Sequence, residues 1–464
     1  MTVGELHADR TGRGRDAAYV AVRDVLRQRD FAARALHTLR SAEGLAGRDA
    51  ALAMEIALGT VRHLLTIEHV LSAVAQFDPQ RVRYELRAIL YTAACQIIWM
   101  DRVPVFAAVD EAVEQARRYV GGRSPGMVNA VLRGLTRALG ERRVPWERLS
   151  PRQVRVGWDT ACAFERDVLP PAEKLSAHLA AATGERVRRY ETLVTRFGAE
   201  DTERAAWAAG ATPVIALQRN PLRGGAEELT ESLHAAFGPE IEIAGDTVFV
   251  TGAASIVAAT PFADGRVFVQ DTTARAAARA VEAQPGEKIV DLCAAPGGKA
   301  MALAIDMEDR GELWACDIAA DRLERVRENV QRLGLNCVRA QVGPPAEGEF
   351  DAALLDVPCA NTGVLARRPE ARLSLNAEKL TTLTRTQREL LDSAAKLVRP
   401  GGRLVYSTCS LEPEENEEQI RRFLADHADW RLAEEHTTLP AWGPRLADWR
   451  DGGYVARLER GSTA

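Results

Sequence analysis

Apolar side chains recur three and four positions apart from about Asp16 to Gly140: Val20, Val22, Val25 and Leu26, then Ile56, Leu58, Val61 and Leu64, then Leu90, Ala94, Ile97 and Ile98. That spacing gathers them on one face of successive helices and predicts an all-α bundle over 16–140. Residues 1–15 lack the periodicity and are expected to form a flexible tail. The pattern breaks again over 141–184, where Pro145, Pro151 and the pair Pro170-Pro171 cannot continue a helix, so this stretch is expected to be a linker region. Over 185–285 helical spacing mixes with short β-like runs at 214–217, 241–243 and 248–250, which predicts a small α+β module.

From Gly286 the rhythm changes to short strands alternating with helices, the pattern of a mostly parallel sheet covered on both faces. Strands are expected at 289–292, 313–316, 338–342, 352–355 and 404–407, with crossover helices at 320–333 and 380–397. The chain is therefore expected to be multidomain, ending in an α/β, Rossmann-like domain over 286–464.

Composition supports a folded protein: of 464 residues, 46% are hydrophobic and 27% charged. No apolar run is long enough to span a bilayer and no charged-then-apolar leader opens the chain, so a cytoplasmic protein with no membrane partner is expected. The seven cysteines show no CxxC pair and no metal-ligand spacing, so neither a disulfide framework nor a metal site is expected. The net charge of −5 conceals a mildly basic N-terminal third, with 22 Lys plus Arg against 17 Asp plus Glu over 1–150. This suits contact with nucleic acid, and equally a solvated helical surface.

The first strand of the α/β domain runs into Asp291-Leu292-Cys293-Ala294-Ala295-Pro296-Gly297-Gly298-Lys299, a turn of small residues opening a helix. At the carboxyl end of the first strand of a doubly wound sheet, such a turn lets a nucleotide-like ligand approach the main chain. It is not a phosphate loop, because Ala300 follows Lys299 where a magnesium-binding hydroxyl would stand. The second strand ends at Asp317, a carboxylate able to accept from both hydroxyls of a ribose or to cap the following helix.

Two thiols stand where the fourth and fifth strands end, in Asp356-Val357-Pro358-Cys359 and Ser407-Thr408-Cys409-Ser410. A buried cysteine is ordinarily a small core hydrophobe, the reading preferred for Cys95, Cys162, Cys316 and Cys337. A strand-end thiol in a ligand-binding sheet suits a different chemistry. Carbon 5 of cytosine is too weak a nucleophile to take a methyl group from a sulfonium unaided, and attack of a thiolate on carbon 6 makes carbon 5 enamine-like. Asp356 can hold the base's N3 and N4 edge, and Lys299 can meet charge developing on the ring. Spacing alone does not decide which thiol attacks.

The strings at Asp291 to Lys299, at Asp356 to Cys359 with Thr362-Gly363-Val364, and at Ser407 to Ser410 with Pro413-Glu414-Glu415-Asn416 resemble the Sun/Nop family of RNA cytosine-5 methyltransferases. The resemblance implies S-adenosylmethionine as methyl donor, attack by Cys409 and release assisted by Cys359. It further implies cofactor contacts at Cys293, Ala294, Ala295, Pro296, Gly297, Gly298, Lys299, Asp317, Arg322 and Asp356. Upstream, Arg48-Asp49, Gly59 to Arg62, Met100 to Pro104 and Val128 to Arg133 resemble the NusB-like helical domain fused to the bacterial small-subunit ribosomal RNA members of that family. RNA, with 16S ribosomal RNA as the target, is the implied partner, and oligomeric state is not implied. Transfer RNA is the nearest alternative substrate, and a catalytically weak RNA-binding ribosome-assembly factor is the alternative of another class. Three departures stand out: no acidic residue follows the third strand near Val342 to Pro345, Asn361 replaces a usual small residue, and Ala371-Arg372-Leu373 replaces a Trp-containing stretch.

Overall fold

The computed structural model describes residues 13–27, 45–251, 256–346 and 348–462. Of the tail expected over 1–15, residues 1–12 lie outside these, and the first helix already begins at Arg13. The chain divides into two compact units between Ala211 and Thr212.

In the first unit, the described helices of the bundle are α1 (Arg13–Leu26), α2 (Gly47–Arg62), α3 (Leu64–Ala75), α4 (Tyr84–Trp99), α5 (Val105–Tyr119) and α6 (Ser124–Ala138). Helix α4 buries every residue from Ala88 to Ile98, so it is the central helix and the others lay one apolar face against neighbours. The stretch expected to be a linker is folded. Strands β1 (Val144–Pro145), β2 (Gln153–Arg155) and β3 (Thr160–Ala163) form an antiparallel sheet in the order β1-β3-β2. Its prolines do break helices, but Pro145 occupies an edge strand, where no ladder donor is needed. Val154, Ala161 and Cys162 are fully buried, and the Arg155 guanidinium stacks 3.8 Å from the Trp146 ring centroid and 5.2 Å from that of Trp207. Helices α7 (Leu175–Thr183), α8 (Val187–Phe197) and α9 (Ala199–Gly210) complete this unit. Residues 185–211 therefore pack with the first unit, rather than with the module expected to begin at 185, because α9 turns Trp207 edge-on to Trp146.

The second unit opens with a four-stranded antiparallel sheet in the order β5-β6-β4-β7, built from β4 (Ile215–Arg219), β5 (Glu242–Ala244), β6 (Thr247–Val250) and β7 (Val267–Val269). Helix α10 (Ala226–Phe237) covers it through Leu229 and Leu233. After α11 (Thr272–Arg279) comes a seven-stranded sheet in the order β10-β9-β8-β11-β12-β14-β13. Five strands are parallel: β8 (Lys288–Asp291), β9 (Glu312–Asp317), β10 (Val338–Val342), β11 (Phe350–Asp356) and β12 (Val398–Thr408). Two further strands, β13 (Trp430–Thr438) and β14 (Gly453–Arg460), were not expected from the sequence and extend it antiparallel.

Alternation along the strands serves two cores. Ile289, Leu313, Leu354 and Val405 face α12 (Gly298–Asp306) and α13 (Ala320–Leu333), whereas Val290, Leu355, Leu404 and Tyr406 face α14 (Ala377–Leu397) and α15 (Glu417–Asp426). The first strand in sequence, β8, lies centrally, and the chain winds outward from it in both directions. The crevice therefore opens at the carboxyl ends of β8, β9 and β11. Among the described residues, no single helix is long and apolar enough to cross a membrane.

Candidate active site

All residues singled out from the sequence leave the sheet at its carboxyl edge. Behind β8, Gly297 adopts φ +110°, a left-handed conformation that suits glycine, and α12 starts from it. Asp317 is 4% exposed. Its carboxylate accepts from the Ala295 and Ala319 amides at 3.3 and 3.0 Å, so it braces the β8 loop against the β9 loop. Arg322 pairs with Asp317 at 3.3 Å and donates to the Ala295 carbonyl at 2.6 Å. The Cys293 thiol lies within the same loop, its pKa pushed up by burial and by Asp291, Asp356 and Asp317.

Asp291 itself is fully buried. Its Oδ1 accepts weakly from the Cys293 amide at 3.3 Å, while Oδ2 is a buried oxygen with no hydrogen-bond partner among the described residues. Burial, helped by the nearby Asp356 charge, pushes its pKa up to about 7. An orphaned carboxylate oxygen beside a loop of small residues suits a ligand that brings polar hydrogens or positive charge.

The thiols are brought together by strand register. Because β11 and β12 pair with Asp356 opposite Ser407, residues three and two positions further on meet beyond the sheet edge. Cys359 Sγ and Cys409 Sγ are 3.3 Å apart. Cys359 is buried and Cys409 is half-buried. The pKa of Cys359 is pushed well up by its hydrogen bond to Cys409, by burial and by the Glu415 charge.

On the neighbouring side, Lys299 Nζ and Asp356 Oδ2 form an ion pair at 2.7 Å, and Ser407 Oγ donates to Asp356 Oδ1 at 3.0 Å. Burial works against the Lys299 ammonium, and the Asp356 carboxylate more than offsets this, so its pKa lies above the usual lysine value. Lys299, Asp356 and Cys409 line one cavity together with Thr273, His436 and the backbone of Gly452 and Gly453.

The second chain of contacts holds Cys359 from behind. Glu415, fully buried, accepts from the Ala360 amide and from Gln387 Nε2, each at 2.9 Å, and Gln387 also donates to the Pro358 carbonyl. Gly363 donates its amide to the Cys409 carbonyl at 2.9 Å and packs on Gly452. A Cβ built on Gly363 would stand 2.5 Å from the Gly452 oxygen, which explains the glycine. In the sequence Asp291 and Glu415 stand out only as parts of longer strings, and Gln387 does not stand out, because nothing in a lone helical Gln signals its partners.

Residues 278–442 match the family described as 16S rRNA methyltransferase RsmB/F, and residues 13–137 match the NusB family. The chain is 31% identical over 441 residues to the probable ribosomal RNA small subunit methyltransferase B of Synechocystis sp., covering 92% of each chain. The chain belongs to the ribosomal RNA small subunit methyltransferase B family. Another relative in this family, from Vibrio cholerae, is 30% identical and covers 89% of this chain and 90% of its own. Among solved structures, that of PH0851 is similar in fold, with a TM-score of 0.72 at 23% identity over 96% of this chain and 98% of that one. Within the family match fall the β8 loop, both thiols, and the Lys299–Asp356 pair. The helical bundle expected to be NusB-like coincides with the second match.

Proposed function

We propose that this chain methylates RNA, transferring a methyl group from S-adenosylmethionine to carbon 5 of a cytosine, with small-subunit (16S) ribosomal RNA as the substrate and the cytoplasm as its place of work. The observation that carries the reading is the pair of thiols 3.3 Å apart, next to the 2.7 Å Lys299–Asp356 ion pair, in a family of ribosomal RNA methyltransferases. The half-buried Cys409, which lines the cavity, is assigned as nucleophile, and the buried Cys359 as the group that assists release.

The loop from Cys293 to Gly298, with Asp291, Asp317 and Asp356, is where the methyl donor would be held, and the orphaned Asp291 oxygen supports that fit. Arg322 acts through Asp317. When bound, the sulfonium supplies an electrophilic methyl group. Cys409 forms a bond from sulfur to carbon 6 of the base, and the ring's electron pair moves toward carbon 5. Asp356 accepts from the polar edge of the base, while the Lys299 ammonium neutralises negative charge on the ring. Carbon 5 takes the methyl group, with the donor leaving as its neutral thioether, and then gives its proton to a base, the role assigned to Cys359, as the carbon 6–sulfur bond breaks and Cys409 departs. Carbon 6 is inaccessible within a stacked helix, so the target base must be unpaired or flipped out. The NusB-like bundle and the small antiparallel module are assigned to gripping RNA, which the N-terminal basic excess supports.

Transfer of label from S-adenosylmethionine to small-subunit ribosomal RNA and, separately, to transfer RNA tests the reading, using wild type, Cys409→Ser and Cys359→Ser. Label on ribosomal RNA, lost without an adduct in Cys409→Ser and stalled as a protein–RNA adduct in Cys359→Ser, is the expected result. Label on transfer RNA alone would change the substrate. No transfer to either RNA would overturn the enzyme reading and favour an assembly factor.

A further inference from the structure

Asn361 lies between the two thiols in the sense of their hydrogen bonding. It holds φ +61°, a left-handed conformation uncommon outside glycine, in the loop that follows Cys359. Its Nδ2 donates to the Cys359 carbonyl at 2.8 Å, and its Oδ1 accepts from Cys409 Sγ at 3.3 Å. The amide cannot be turned over, because a carbonyl oxygen must be met by the nitrogen end. The oxygen end therefore has to face the Cys409 sulfur.

A carbonyl oxygen can accept an S–H and cannot donate to a thiolate. With its only proton committed to Asn361, Cys409 in turn accepts the proton of Cys359, which sets one direction of donation: Cys359 to Cys409 to Asn361. We infer that Asn361 is a positioning residue that holds Cys409 in its protonated, resting form, so that the thiolate arises only when an RNA base displaces the amide oxygen or the thiol turns away from it. The inference rests on the assignment of Cys409 as nucleophile and adds how that nucleophile is kept from reacting before substrate arrives.

The other groups facing this pair are Lys299 and Asp356 at the cavity wall, Glu415 behind Cys359, Tyr406 on β12, and Asp271, His436, Asp451 and Tyr454 around the cavity. Substituting Asn361 alone changes none of these side chains. Glycine is the informative replacement, since it deletes the amide while keeping the left-handed backbone without strain. Alanine, a small residue of the kind that Asn361 replaces, deletes the same amide.

The test is the pH dependence of Cys409 alkylation by iodoacetamide in the full-length protein, with the modified cysteine located by peptide mass spectrometry, for wild type, Asn361→Gly and Asn361→Ala. The midpoint is expected to fall in Asn361→Gly, with alkylation near neutral pH faster by about three- to tenfold, the size of one lost hydrogen bond. In Asn361→Ala it is expected to fall likewise. Coincident midpoints, or a rise in Asn361→Gly, overturn the inference. If Asn361→Gly does not fold, as judged by circular dichroism, Asn361→Ala decides, and an unchanged or raised midpoint there is the refuting result. This readout needs no methyl transfer: expected midpoints in a wild type that transfers no label would sink the proposed function and leave the thiol gate standing.

Discussion

Replacing Asp291 by asparagine should make the second unit more stable at alkaline pH than the wild type, by an amount that grows from about pH 3.8 to about 7 and is constant above. The carboxyl group is 1% exposed, one oxygen has no partner among the described residues, and the other has one long contact from the Cys293 amide. Burial, with the Asp356 charge adding to it and Lys299 opposing, raises its pKa from the ordinary 3.8 to about 7. Because the folded value lies above the unfolded one, the folded state holds the extra proton. The stability this brings is full below about pH 3.8 and is lost as pH rises through about 7. A span of about three pH units at ~1.4 kcal/mol each makes roughly 4 kcal/mol, all of it absent from the isosteric amide. Urea unfolding of both proteins between about pH 5 and pH 8.5, followed by intrinsic fluorescence, reads the difference. With a slope of about 2–3 kcal/mol per molar urea, the gap between the midpoints should widen by roughly 1 M across that range. Parallel midpoints would show that Asp291 does not titrate there, and the argument from burial would be refuted.

Removing Glu415 as Glu415→Ala orphans the Ala360 amide and opens a cavity beneath the Cys359 loop, for a loss of roughly 2–4 kcal/mol in urea unfolding. Glu415→Gln, which keeps an acceptor, should lose less; equal losses would argue that the buried carboxylate does not hold the loop. Gly363→Ala forces a Cβ to within 2.5 Å of the Gly452 oxygen and 3.1 Å of the Cys409 carbonyl. It should lower both stability and the reactivity of Cys409 toward iodoacetamide, and wild-type values for both would contradict the packing described.

The helical periodicity of the N-terminal bundle and the strand–helix alternation after Gly286 are properties of neighbouring residues, so they were legible in the chain alone. So were the strings around Lys299, Cys359 and Cys409, because a ligand-binding turn and a strand-end thiol are local features. Strand β14 carried a readable alternation, with Tyr454, Ala456 and Leu458 buried between half-buried Val455 and Arg457, yet it lies far from any other predicted strand. Strand β13 carried none: at the sheet edge, only Trp430 among its nine residues is buried, so its charged run resembles a loop. The folded 141–184 stretch was hidden for the opposite reason, since short strands between prolines bury too few residues to show a period.

The order of residues is enough to set which elements form and which chemical groups stand at strand ends. Which of these groups meet is set by how the strands pair and the helices pack. Cys359 and Cys409 are fifty positions apart and come within 3.3 Å because β11 and β12 pair in one register. The Glu415–Ala360 and Lys299–Asp356 contacts, and the amide of Asn361 turned toward Cys409, depend likewise on chain crossings between distant segments. The raised pKa of Asp291 has the same origin, because desolvation is set by what the rest of the sheet places around a carboxylate, and no local pattern encodes that.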